Sequence, residues 1–187
     1  MSDVSFDMTE QNSFKVHQKY AEPWKITLID TGENTLTGGR LKRVSQYLGN
    51  GDFCFTYGDG VGNVDISSLL AFHHEKGCLA TLTAAIPPGR FGALKIEDDQ
   101  VQQFNEKPVG EGGQVNAGFF VLSPQVIQYI TGDDIIWERE PLECLASEGQ
   151  LAAYNHIGFW QPMDTLFDKN TLEKMWVTNT APWKKWE

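Results

Sequence analysis

The sequence lacks the features that mark membrane-spanning and nucleic-acid-binding proteins. It has no apolar run long enough to cross a bilayer and no signal-peptide pattern at Met1. It carries 15 Lys and Arg against 25 Asp and Glu, and the basic residues form no cluster. Nucleic-acid backbones and anionic membranes are therefore poor partners. We expect a cytoplasmic protein that binds no nucleic acid and no membrane.

Cysteine is scarce, and a glycine-rich phosphate-binding loop is missing. The three cysteines, Cys54, Cys78 and Cys144, are dispersed without a C-x-x-C pair, which predicts reduced thiols. Without the glycine-rich loop, a phosphate ligand would need charge from a few local Lys or Arg residues and a metal ion.

What is present predicts an α/β sheet with a β-hairpin insertion. The chain of 187 residues is long enough to bury one core, so we expect a single domain over residues 1–187. Asp65 and Gly77 are the predicted N-cap and C-cap of a helix that lies between them. A β-hairpin is predicted to turn at Glu97–Gln100. The predicted strands are 25–32, 53–56, 79–85, 92–96, 101–105, 115–122 and 151–154, and the predicted helices are 38–48, 66–76, 123–130, 141–148 and 164–177. Strands that alternate with helices in this way are typical of α/β proteins.

Two aspartates are the strongest candidates for a ligand site. Asp59 lies between glycines directly after the strand 53–56, at the sheet edge where α/β proteins bind ligands. Asp164 lies far along the chain, after Gly158-Phe159-Trp160. Two such carboxylates can hold one Mg²⁺ against phosphate oxygens. Simpler interpretations are a turn aspartate for Asp59 and a helix N-cap for Asp164.

Several longer segments carry a family resemblance. They are Thr37-Gly-Gly-Arg-Leu-Lys-Arg43, Tyr57-Gly-Asp-Gly-Val61, Pro87-Pro-Gly-Arg-Phe-Gly92, Phe104-Asn-Glu-Lys-Pro108, Asn116-Ala-Gly-Phe-Phe120, Trp137-Glu-Arg-Glu-Pro141 and Gly158 to Thr165. Together, and over the whole chain, they resemble the glucose-1-phosphate cytidylyltransferases. These are sugar-phosphate nucleotidyltransferases of bacterial nucleotide-sugar pathways that supply O-antigen lipopolysaccharide.

The resemblance also implies a fold. It implies a Rossmann-like nucleotidyltransferase sheet of the GT-A type, mixed in strand direction and carrying the hairpin insertion. Family members begin with a strand and a Gly-Gly-x-Gly-Thr-Arg-Leu loop, and nothing here corresponds to either. We therefore expect a domain that is incomplete at its N-terminus and lacks the first strands of the sheet.

The implied reaction joins CTP and glucose 1-phosphate into CDP-glucose and pyrophosphate, with Mg²⁺ as cofactor, in a homo-oligomer. By resemblance, the metal ligands are Asp59 and Asp164, and the catalytic residues are Asp59, Lys107 and Arg40. The implied substrate-binding residues are Gly92, Glu106, Lys107, Asn116, Gly118, Trp137 and Glu138. The implied nucleotide-binding residues are Gly38, Gly39, Arg40 and Asp59.

Two other functions stay open at this point. One is a catalytically inactive remnant, or a sugar-phosphate-binding subunit of an oligomer. The other is a nucleotidyltransferase for a different base, because the resemblance of whole motifs is what favours cytidine.

Overall fold

A computed structural model describes residues 4–7, 9, 13–16, 24–89, 93–97, 100–105 and 113–186. The chain divides into two units, Met1–Asp30 and Thr31–Glu187. The first unit holds strands β1 (Val4–Asp7) and β2 (Ser13–Val16), which pair antiparallel with Val4 opposite Val16.

The second unit holds the main sheet and all the helices described below. Its strands are β3 (Phe53–Thr56), β4 (Gly60–Gly62), β5 (Ala80–Ala85), β6 (Ala93–Glu97), β7 (Gln100–Asn105), β8 (Val115–Leu122), β9 (Leu151–His156) and β10 (Trp160–Pro162). Its α-helices are α1 (Thr37–Val44), α2 (Ile66–Lys76), α3 (Glu140–Ser147) and α4 (Leu166–Val177). Two 3₁₀ helices cover Ser45–Tyr47 and Pro124–Tyr129.

The main sheet has the strand order β3-β8-β5-β9. Strand β8 runs antiparallel to both β3 and β5, whereas β5 and β9 are parallel, so the sheet is mixed. Strand β5 is buried along almost its whole length, as expected for an inner strand with both faces covered. Among the described strands, β3 pairs with β8 alone, and its side chains alternate between half-buried and exposed.

The hydrophobic core lies around β8. Phe120, Val121 and Leu122 are at most 1% exposed, and Phe120 and Leu122 pack in one cluster with the fully buried Trp137 and Leu145. Burial of each such side chain contributes about 1.5–3 kcal/mol to stability.

Most predicted elements are confirmed, including the mixed α/β sheet and the hairpin of β6 and β7. Helix α2 has the predicted bounds, with Asp65 as its N-cap and Gly77 in the left-handed conformation at its end. The segment 123–130 is helical as predicted, but it forms a 3₁₀ helix and not an α-helix.

The strand predicted over residues 25–32 is wrong. This segment is irregular, and Ile26 and Leu28 are 74% and 92% exposed. Its apolar alternation alone is not sufficient, because a strand needs a neighbour to pair its backbone groups. In the described part of the chain, no helix is both long and apolar enough to be a membrane span.

Candidate active site

Asp59 lies just beyond the end of β3, as the sequence predicted. The ladder between β3 and β8 continues one step further, where the Tyr57 N–H donates to the Gly118 carbonyl at 3.2 Å. Asp59 follows on an exposed turn. No hydrogen bond or ion pair joins its carboxylate to a described residue, so the carboxylate faces solvent at the sheet edge.

A short two-stranded ribbon brings the two aspartate segments together. Strands β4 and β10 pair antiparallel, with Gly60 opposite Pro162. The pairing extends past the strands, because the Met163 N–H donates to the Asp59 carbonyl at 2.8 Å. Asp164 is the next residue after Met163. The backbone segments that carry Asp59 and Asp164 therefore lie side by side.

The ribbon is fixed to the main sheet by Trp160. Its indole N–H donates to the Ala117 carbonyl of β8 at 2.9 Å. A Cβ atom at Gly60 would lie 3.3 Å from the same carbonyl oxygen, so a larger residue would press on this contact. The ribbon is thus held against β8 beside the Asp59 turn.

The prediction that Asp164 caps α4 is wrong by one residue. The N-cap is Thr165, which accepts the Asp168 N–H at 3.2 Å, while the Asp168 carboxylate accepts the Thr165 N–H at 3.0 Å. This reciprocal capping box satisfies the helix start. Thr165, and not Asp164, therefore caps α4.

A second group of side chains meets at Glu138. The Tyr57 hydroxyl donates to Glu138 Oε1, and the Thr37 hydroxyl donates to Glu138 Oε2 at 2.8 Å. The Thr37 oxygen also accepts the backbone N–H of Trp137 at 2.9 Å. Glu138 therefore connects the end of β3 with the first residue of α1. Tyr57 and Thr37 were not among the predicted site residues.

Tyr57 lies close to several of the predicted site residues. Its ring packs on Gly118, where an added Cβ would lie 2.5 Å from a ring carbon and where φ is +77°. The Gly118 N–H donates to Asn116 Oδ1 at 2.9 Å. Burial raises the pKa of Tyr57, the Glu138 hydrogen bond and charge raise it further, and Asp59 adds a smaller effect in the same direction. The structure thus brings Asp59, Asn116, Gly118 and Glu138 together around one phenol.

Gly38 and Gly39 have a clear packing role at the start of α1. The Gly38 N–H donates to the Ile135 carbonyl at 2.9 Å, and a Cβ at Gly39 would lie only 2.4 Å from the Asp133 carbonyl oxygen. Both glycines are buried and let the helix approach the backbone of this loop. Their contact with a nucleotide stays a prediction.

Arg40 is exposed in the first turn of α1. One guanidinium nitrogen donates to the Thr31 hydroxyl at 2.7 Å and the other to the Glu33 carbonyl at 3.1 Å. These neutral acceptors leave its positive charge uncompensated by those contacts. Its role with a nucleotide phosphate stays a prediction.

Trp137 is a core residue in this structure. Its side chain is fully buried and packs edge-on against Phe55 and Phe120, with ring centroids 6.4 and 6.2 Å away. The indole therefore does not face solvent, and its contact with a sugar stays a prediction.

The roles of three predicted substrate-binding residues stay predictions. Gly92, Glu106 and Lys107 lie outside the described residues. The described part of their neighbourhood is the hairpin of β6 and β7, with Ala93 opposite Asn105.

A separate polar cluster lies at the other end of β3. The Ser123 hydroxyl donates to Asp52 Oδ1 at 2.6 Å, and Asp52 Oδ2 lies 3.1 Å from His74 Nε2. The buried His73 contacts the Thr81 hydroxyl through Nδ1 at 2.9 Å. Ser123 Oγ also lies 3.5 Å from His73 Nε2. Because the single hydroxyl proton of Ser123 is donated to Asp52, no histidine removes it, and Ser123 is not activated as a nucleophile. We interpret this cluster as structural.

Comparison with known proteins agrees with this fold. The sequence profile of the family described as Nucleotidyl transferase matches residues 2–156. Among solved structures, HddC of Yersinia pseudotuberculosis superposes with a TM-score of 0.58 at 20% identity, over 77% of this chain and 64% of that chain. At this identity the likeness supports the fold alone. The class that the fold and site define is thus a nucleotidyl transferase.

Closer relatives narrow the class. The chain is 56% identical to the glucose-1-phosphate cytidylyltransferase of Salmonella typhi, over 100% of this chain and 73% of the relative. It is 44% identical to a probable glucose-1-phosphate cytidylyltransferase of Bacillus subtilis, over 88% of this chain and 65% of that relative. The chain belongs to the nucleotidyl transferase family, in its glucose-1-phosphate cytidylyltransferase branch.

Proposed function

We propose that the protein transfers a cytidylyl group from CTP to glucose 1-phosphate, giving CDP-glucose and pyrophosphate. The observation that carries this proposal is the ribbon of β4 and β10, because it brings the Asp59 and Asp164 segments together beside Tyr57 and Glu138. The named relatives supply the substrates. They also make a catalytically inactive remnant or a binding subunit the less favoured alternative.

The donor set at the ribbon fits a divalent ion of the Mg²⁺ type. Carboxylate oxygens are its preferred protein ligands, and it commonly takes only one or two of them along with water and substrate phosphates. No cluster of three or more His, Cys, Asp or Glu residues that could hold a metal occurs in the described part of the chain. We propose Asp59 and Asp164 as the metal ligands. A bound Mg²⁺ would neutralise charge on the α-phosphate and the departing pyrophosphate.

In the proposed reaction, a phosphate oxygen of glucose 1-phosphate forms a bond to the α-phosphorus of CTP as the bond to pyrophosphate breaks. Such transfers depend on positioning and charge neutralisation more than on covalent help from the protein. We propose Arg40 at a nucleotide phosphate, with Gly38 and Gly39 near the nucleotide, and Lys107 at the sugar phosphate. The residues proposed for the sugar are Gly92, Glu106, Asn116, Gly118 and Glu138.

We also propose that residues 1–187 act as one nucleotidyltransferase domain in a cytoplasmic homo-oligomer. The family profile, which spans residues 2–156, supports the single domain. Exposed Trp176 and Trp186, at 49% and 59%, offer apolar surface for contact between copies. Sedimentation equilibrium would measure the mass of the assembly.

The test is release of pyrophosphate from CTP and glucose 1-phosphate. We expect turnover that requires a divalent ion and is abolished by EDTA. UTP and GTP should react at least about tenfold more slowly, as a site that recognises base hydrogen-bonding groups discriminates strongly. If another nucleotide reacts faster than CTP, that nucleotide becomes the proposed substrate in place of CTP. No turnover with any nucleotide would contradict the proposal itself.

A further inference from the structure

We propose that Tyr57 and Thr37 are positioning residues that hold the Glu138 carboxylate in place for the sugar substrate. This rests on the proposed function, in which Glu138 accepts hydrogen bonds from the hydroxyls of glucose 1-phosphate. The geometry is one hydroxyl on each carboxylate oxygen: Tyr57 donates to Oε1, and Thr37 donates to Oε2 at 2.8 Å.

Two hydroxyl donors leave Glu138 able to bind a ligand. Each carboxylate oxygen accepts more than one hydrogen bond, so each retains acceptor capacity. Both donors are neutral, and no described Lys or Arg forms an ion pair with Glu138. Hydrogen bonds that a carboxylate accepts from sugar hydroxyls are charge-assisted.

The Tyr57 hydroxyl is held in place by packing. Its ring lies edge-on to Phe55 and Phe120, with centroids 5.7 Å away in each case, and its third neighbour is Gly118. A fixed donor fixes the acceptor, which is the requirement for a preorganised binding group.

Thr37 fixes Glu138 from the opposite side. Its hydroxyl donates to the Glu138 carboxylate and accepts the Trp137 N–H at 2.9 Å. One hydroxyl therefore orients both the Trp137 backbone and the Glu138 side chain. A β-branched side chain has few rotamers, which limits the movement of this hydroxyl. Since Thr37 opens α1, the same contact ties Glu138 to the helix that carries Arg40.

The test compares Tyr57→Phe with Tyr129→Phe. Tyr129 offers a matched control, because its hydroxyl donates to the Glu148 carboxylate at 2.5 Å but lies on the exposed surface away from the site. Glucose 1-phosphate is titrated calorimetrically into each variant, and KM is measured for both substrates. We expect Tyr57→Phe to raise Kd and KM for glucose 1-phosphate about tenfold, as for a lost hydrogen bond to a charged group. KM for CTP should not change, and Tyr129→Phe should behave as the wild type.

A second pair of variants tests Thr37. Thr37→Val should weaken glucose 1-phosphate binding in the same way, and Thr37→Ser, which keeps the hydroxyl, should restore it. Thermal melting reports whether each variant is folded.

The outcomes separate positioning from a merely structural role. If Tyr57→Phe lowers kcat and the melting temperature but leaves both KM values unchanged, Tyr57 only stabilises the fold and the proposal is overturned. Equal effects of Tyr57→Phe and Tyr129→Phe overturn it as well. If the wild type neither binds nor turns over glucose 1-phosphate, the proposed function fails first, and this proposal fails with it.

Discussion

At the two ends of strand β3 stand aspartates with similar sequence surroundings. Asp52 follows Gly51, and Asp59 lies between Gly58 and Gly60. In the fold, Asp52 accepts a hydrogen bond from Ser123 and contacts the histidines of α2. Asp59 is exposed beside the ribbon of β4 and β10. The two aspartates therefore have similar neighbours in the sequence but different neighbours in the fold.

The difference lies in what the neighbouring elements supply. At the Asp52 end they supply side-chain donors, which use the carboxylate within the protein. At the Asp59 end they supply glycines and backbone, including Gly118 in β8 and the Met163 N–H on the Asp59 carbonyl. We infer that the first end serves stability and the second serves a ligand.

The largest expected effect separates these roles by activity. Asp59→Asn should lower kcat about 10²–10³-fold. The reason is that the proposed metal ion held by Asp59 would stabilise the negative charge that develops in the transition state. Its melting temperature should stay close to that of the wild type. Asp52→Asn should keep its activity per folded molecule in the same pyrophosphate assay. Equal losses of activity in both variants would remove the distinction between the two ends.

The next effect concerns the backbone that supports Tyr57. Gly118→Ala should lower the free energy of unfolding by about 3 kcal/mol, because it adds a side chain at positive φ and presses on the Tyr57 ring. Gly77→Ala is the matched control, since Gly77 also has positive φ, at 64°, but an added Cβ there meets no atom within 4 Å. It should cost about 1 kcal/mol. Urea unfolding measures both, and equal losses would show that contact with Tyr57 is unimportant.

A smaller effect is expected for Asp52 itself. Asp52→Asn removes the charge that accepts the Ser123 hydroxyl, so the free energy of unfolding should fall by about 1–2 kcal/mol. Urea unfolding of the variant and of Ser123→Ala should give similar losses, and the double variant should lose less than their sum. Strictly additive losses would mean that the two side chains do not interact.

The smallest effect is a pH dependence at the Asp52 end. The Ser123 hydrogen bond lowers the pKa of Asp52 from 3.8, so its contribution is present above that pH and is lost as the pH falls further. Burial lowers the pKa of His73 from its usual value of 6.5. The negative charge of Asp52 raises this pKa, and the charge of His74 lowers it, but burial is the largest effect. The fold therefore favours neutral His73 and loses stability as the pH falls below 6.5.

Melting temperatures recorded between about pH 7.5 and 5 measure the part due to His73. We expect a decrease toward acid in the wild type and a flatter profile in His73→Asn. Identical profiles would contradict the assignment to His73.

Local sequence signals predicted the longer elements well. Asp65 and Gly77 define α2 because capping is decided within a few residues. The ribbon was not predicted, because strands as short as Gly60–Gly62 and Trp160–Pro162 carry no periodicity. Residues 25–32 have the alternation of a strand but stay irregular, because pairing depends on a neighbour that local sequence does not specify.

The candidate site was predicted only in part for the same reason. The glycine-flanked Asp59 after a strand is a local signal, and the resemblance pointed to Asp164. The contacts of Tyr57 and Thr37 with Glu138 join residues that lie far apart in the chain, so no local pattern indicated them. The cluster at Asp52 is likewise a product of tertiary packing.

Binding of Mn²⁺, a spectroscopic substitute for Mg²⁺, tests the account most directly. Electron paramagnetic resonance would follow its binding to the wild type, Asp59→Asn, Asp164→Asn and Asp52→Asn in the presence of CTP. We predict that the two ribbon variants bind Mn²⁺ at least about tenfold more weakly than the wild type, whereas Asp52→Asn binds it normally. Wild-type affinity in both ribbon variants would contradict the claim that Asp59 and Asp164 share one metal ion.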